Sequence, residues 1–165
     1  MENKIAKEFE LYEPMSAWLQ QYLENKYRGA KVIVIDSHAR TLDVYLELYG
    51  IIDYYPQSVG LDIQIDVLGI IIKKGKPCLV FIEAKKTQLK LHDVGQLWAY
   101  CKLCEPIEAF LLSPAGLGGL NKVLNNLNRH DLLDFGNGNT IKKMQVGKWD
   151  VSAKSVDYKT LVPKM

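Results

Sequence analysis

Asp66, Glu83 and Lys85 are the residues whose types and spacing best suit chemistry. Two apolar runs, residues 67–72 and 78–82, have the length of buried strands and are rich in β-branched side chains. Between them lies Lys73-Lys74-Gly75-Lys76-Pro77, a polar turn, so the pair reads as a β-hairpin. Asp66 stands at the entrance of the first strand and Glu83 at the exit of the second, which makes them neighbours in an antiparallel pair. Lys85 is two positions beyond Glu83 and points the same way. Two carboxylates at one sheet edge repel, and a hard divalent cation relieves that repulsion. Mg²⁺ takes one or two carboxylates together with waters and phosphate oxygens. A cation so held lowers the pKa of a bound water and neutralises charge on a phosphodiester, while the lysine orients the water or stabilises the charge that develops. Asp62 and Gln64 alternate with Asp66, so Asp62 is a further candidate carboxylate.

The elements that must position this cluster follow from the rest of the chain. Residues 2–28 read as helical, with Leu11, Met15, Trp18, Leu19, Tyr22 and Leu23 in one apolar stripe. The main helix is expected from Glu13-Pro14 to a stop at Gly29. Residues 31–35 read as a strand, with Asp36-Ser37 as the cap of a following helix over 38–49 that stops at Gly50; the alternation of Leu42, Val44, Leu46 and Leu48 also fits a strand. His38 and Arg40 stand near that helix start, where they either contact a nucleic-acid backbone or are merely solvated. Tyr54 and Tyr55 lie in a loop and serve base stacking or packing. A helix is expected over 88–104, a strand over 107–112, a helix over 120–127, and a terminal hairpin over 141–160. The hairpin's Lys142, Lys143, Lys148, Lys154 and Lys159 either lie along a phosphate backbone or protect a sheet edge. The sum is an α/β class with a mixed central β-sheet flanked by helices.

At 165 residues and 48% hydrophobic content the chain fits a single domain, 1–165, with a real core. The formal charge of +2 is too small for a polycationic protein, so any nucleic-acid binding must come from local basic patches. Met1-Glu2-Asn3-Lys4 is charged and lacks the apolar stretch of a secretory leader, and no apolar run approaches a membrane span. These features predict a soluble, intracellular, cytoplasmic protein with no membrane partner. Cys101 and Cys104 have C-x-x-C spacing, but the chain holds three cysteines, and both are expected on a buried helix face.

Asp66, a hairpin, then Glu83-Ala84-Lys85 resembles the PD-(D/E)XK nuclease superfamily, the fold of many restriction enzymes, junction resolvases and RecB-type exonucleases. Gln96-Leu97-Trp98-Ala99-Tyr100 matches the QxxxY motif of its RecB-like branch. Ile65 stands where the pattern's proline often does. The resemblance covers residues 61–112 and implies a restriction-endonuclease-like fold and a Mg²⁺-dependent deoxyribonuclease, with Mn²⁺ as a substitute. It implies a metal held by Asp66, Glu83 and the Ala84 carbonyl, and catalysis by Asp66, Glu83, Lys85 and Gln96. A first-helix glutamate often joins such sites; Glu13 is the candidate, with Glu10 next. Lys86, Tyr100 and Arg40 are the expected nucleic-acid contacts, and DNA the expected partner, bound by a homodimer or within a larger nuclease complex. The alternative is a catalytically inactive nucleic-acid-binding or assembly module of the same fold.

Overall fold

The computed structural model describes residues 5–164. Its centre is a six-stranded sheet in which the strands follow chain order from edge to edge. Strand β1 is Lys31–Asp36, β2 Val67–Lys73, β3 Lys76–Ala84, β4 Glu108–Ser113, β5 Gln145–Asp150 and β6 Ser155–Val162. The β3–β4 and β4–β5 pairs are parallel and the others antiparallel, so the sheet is mixed. Among the described residues, no helix is long and apolar enough to cross a membrane.

The hairpin forms where expected. Lys74 and Gly75 both have positive φ, +52° and +76°, the geometry of the two-residue turn whose twist matches antiparallel strands. Lys73 therefore faces Lys76, and counting back along the register sets Val67 opposite Ile82. That register carries Asp66 and Glu83 to the same end of the sheet.

Alternation along β2 and β3 divides the apolar side chains between two cores. Val67, Ile71, Val80 and Ile82 pack beneath helix α1, Tyr12–Lys26, through its Met15, Trp18, Leu19 and Leu23 stripe. Leu68, Ile70, Leu79 and Phe81 face the other side, covered by α2, Leu42–Leu48, and α3, Leu91–Cys104. Gly69 lets α1 approach, since a Cβ there would stand 3.0 Å from the Leu23 Cδ1 and 3.2 Å from the Val80 Cβ. Cys101 and Cys104 both lie in the second core, where burial pushes the Cys104 thiol up to about 11 and the Cys101 thiol higher still. They are packing residues of α3.

Several expectations need correction. Residues 2–4 of the helix expected over 2–28 lie outside the described residues; beyond them a 3-10 turn, Glu8–Leu11, precedes α1, while Gly29 at φ +85° supplies the expected stop. Residues 38–49 resolve as helix, but α2 begins only after Thr41. Asp36 and Ser37 cap nothing; Asp36 ends β1, and the Ser37 N–H donates to the Asp66 carbonyl at 3.0 Å. Residues 61–66 are not a strand: exposure alternates, with Ile63 and Ile65 buried, but Asp62 is exposed at φ +52° and the segment joins no sheet. The helix over 120–127 forms over 120–126, with Lys122–Asn126 wound as a π-helical turn.

Candidate functional site

The site is assembled at the C-terminal end of β3. Chain direction reverses at the 74–75 turn, and the strand register then returns Glu83 beside Asp66. Asp66 is fixed from two directions: the Ala84 N–H donates to its Oδ2 at 2.8 Å, and its carbonyl accepts the Ser37 N–H. Glu83 continues the alternation of Leu79 and Phe81, so its chain is drawn in with the apolar residues and is only 7% exposed. Lys85 follows on the same side, its Nζ 3.5 Å from the Glu83 Oε1. Its own N–H donates to the Leu112 carbonyl at 3.0 Å, which anchors the backbone just past the strand.

The electrostatics are those of charge held out of water. Burial first, then the Asp66 charge, pushes the Glu83 carboxyl up to about 8, with Lys85 opposing the rise. Asp66 is likewise raised, chiefly by burial, although the Ala84 N–H pulls the other way. Burial alone would lower Lys85, but Glu83, then Glu8, Asp93 and Asp66, hold its ammonium above the ordinary lysine range. The neutral form of Glu83 relieves the repulsion from Asp66. With both carboxyls ionised, the Glu83 Oε2 is buried without any hydrogen-bond donor.

That orphaned oxygen is where the donor set fits a divalent cation. Two adjacent carboxylates, one with an unused lone-pair face, match the one or two that Mg²⁺ takes from protein. No group of three or more acidic, histidine or cysteine side chains among the described residues converges as an all-protein metal cage. The fit is therefore to a cation completed by waters and substrate oxygens.

The remaining predicted residues are placed as follows. Ala84 is fully buried beside the carboxylates. Glu13 is exposed on α1, and Glu10 accepts the Ala6 N–H at 3.3 Å. Glu8 is instead the first-segment glutamate whose charge reaches both Asp66 and Lys85. It accepts a 3.4 Å hydrogen bond from the Tyr12 hydroxyl, and burial, then the Asp66 and Glu8 charges, drive the phenol far above its ordinary range. The His38 ring packs on Tyr12 at 4.7 Å between centroids and its Nδ1 meets Asp36. Gln96 and Tyr100 sit one turn apart on α3 and bond to each other at 3.4 Å, with Gln96 exposed. Arg40 is exposed in the β1–α2 connection. Lys86 donates to the Ala6 carbonyl at 3.3 Å.

Glu8, Tyr12 and Asp93 are site neighbours that the sequence reading passed over. Asp93 had a legible signal, an acid in the first turn of a helix; its Oδ2 accepts the Lys90 N–H at 2.9 Å while its charge supports Lys85. Comparison of the chain with protein-family models, curated proteins and solved structures gave no match.

Proposed function

We propose that the chain is a metal-dependent nuclease that hydrolyses phosphodiester bonds, with DNA as its substrate. The observation that carries this reading is the buried Asp66–Glu83 pair with an orphaned Glu83 oxygen and Lys85 beside it. A structural ion pair would satisfy its carboxylates; this one leaves an oxygen that a cation would occupy. The order helix, strand, helix, hairpin, helix, strand supports a restriction-endonuclease-like fold, as the motifs imply.

Asp66, Glu83 and the Ala84 carbonyl would hold Mg²⁺ or Mn²⁺, which supplies an acidified water and charge neutralisation at the phosphate. Asp66 is held in a fixed orientation by the Ala84 N–H, so its geometry is preorganised. Lys85, kept charged by four carboxylates, orients the attacking water and stabilises the oxygens that gain charge. Glu8 takes the place beside the carboxylates that was expected of Glu13 or Glu10, acting through Tyr12 and on Lys85. Gln96 and Tyr100 would orient substrate from α3, and Arg40 and Lys86 would contact its backbone.

The experiment is a substrate panel of duplex, single-stranded, nicked, flapped and four-way-junction DNA, plus RNA, with Mg²⁺ or Mn²⁺ and a chelator control. Cleavage that stops in chelator is the expected result, and the preferred substrate identifies the nucleic-acid structure that the site selects. Metal and DNA binding without cleavage of any substrate would favour an inactive binding module of the same fold.

A further inference from the structure

A second feature opens at the same end of the sheet, two strands away from the carboxylates. It is a cleft of about 650 Å³ between the β4–β5 connection and the β5–β6 hairpin. Lys148, Lys159, Lys164 and His130 line it with Asn121 and Asn125, and no carboxylate does. None of its three lysines forms an ion pair with an acid among the described residues. Edge protection accounts for Lys159, which lies on the edge strand β6, but not for Lys148 on the interior strand β5. Lys148 also stands at an irregularity of the sheet. The β5–β6 register shifts between Val146 and Lys148, and the Lys148 N–H donates to the Thr160 Oγ1 at 2.8 Å.

The sheet sets the relation between the two places. Glu83 pairs with Leu111, Leu111 with Val146, and Lys148 lies two residues further along β5. Two interstrand steps and two residues of rise separate Glu83 from Lys148 by about 12 Å between Cα atoms. That corresponds to roughly three or four steps of a nucleic-acid strand at about 3.4 Å each. Lys86, next to the site lysine in sequence, shares a smaller adjoining cleft with Lys148. Asp150 and Asp157 also line that smaller cleft, but they accept the Ala153 and Lys159 backbone N–H groups at 2.9 and 3.1 Å.

We infer that this cleft is a nucleic-acid backbone track, in which Lys148, Lys159 and Lys164 hold phosphates a few nucleotides from the bond at Asp66 and Glu83. The inference rests on the nuclease reading for where the track leads. Its binding chemistry can be tested without cleavage.

The test is the affinity of full-length protein for fluorescent duplex and single-stranded DNA in chelator, measured across salt concentrations. The variants are Lys148→Gln/Lys159→Gln, with Lys31→Gln at the far end of β1 as the control. The double variant is expected to bind about tenfold or more weakly, with the log–log salt dependence shallower by about two, since each lysine releases about one counterion. Lys31→Gln should match the parent protein. Equal affinity and slope in both variants would overturn the track. So would displacement of an acidic polypeptide, but not DNA, by the double substitution. Groove-dependent binding together with no cleavage by the parent protein would sink the nuclease reading and leave the track standing.

Discussion

Replacing Lys85 with alanine is expected to reduce metal-dependent cleavage by about 10³-fold, the scale of losing one preorganised charge at a reacting phosphate. Lys85 is the cation nearest Glu83, and carboxylates from four positions keep it charged. Its removal takes away the group that balances charge as the phosphorus gains a ligand. Glu83→Ala is expected to be at least as damaging, because it removes the buried carboxylate with the free oxygen. Neither residue belongs to the two apolar clusters of the sheet, so circular dichroism should report an intact fold. A loss of activity that tracks a loss of folding would assign these residues a structural role, and undiminished cleavage by either variant would remove them from the mechanism.

The second large effect is on stability. The Glu83 carboxyl is raised in the folded protein from an ordinary 4.5 to about 8, so folding favours its neutral form. Below 4.5 the group is protonated in both folded and unfolded chains and gives no pH dependence. Between 4.5 and 8 the unfolded chain releases the proton and the folded chain keeps it. Stability of the metal-free protein therefore falls across that window, by up to about 1.4 kcal/mol per pH unit, and levels off above it. The raised Asp66 reinforces the fall. Urea unfolding in chelator from pH 5 to 8 should show several kcal/mol of loss, and Mg²⁺ should reverse much of it at pH 8 by taking the proton's place. Glu83→Gln keeps the shape without the charge, so it should flatten the profile and leave the metal-free protein more stable at pH 8 while inactive. Stability that is constant or rises from pH 5 to 8 in chelator would contradict the buried-pair account.

The centre of this arrangement was legible in the sequence because the hairpin is a local structure. A Gly-containing turn and two β-branched runs fix the register, and the register brings Asp66 to Glu83. Lys85 follows from the two-residue period of a strand. The surroundings were not legible for equally physical reasons. Glu8 shares a four-residue 3-10 turn with Glu10, too short for periodicity to rank one above the other, and only tertiary packing brings the Glu8 charge to Asp66 and Lys85. Ser37 looked like a cap, but tertiary pairing to the Asp66 backbone claims its N–H. Residues 61–66 alternate like a strand, yet a left-handed Asp62 breaks the run before pairing begins. The cleft at Lys148 depends on a bulge and on the parallel placement of β5 beside β4, a relation between segments far apart in the chain.

The measurement closest to the central claim is a calorimetric titration of Mn²⁺ into the full-length protein at pH 8, beside Asp66→Ala and Glu83→Gln. The account predicts saturable binding to the parent protein, weakened by at least tenfold in each variant. No saturable binding to the parent protein, or binding unchanged by both substitutions, would show that the orphaned oxygen at Glu83 is not waiting for a metal.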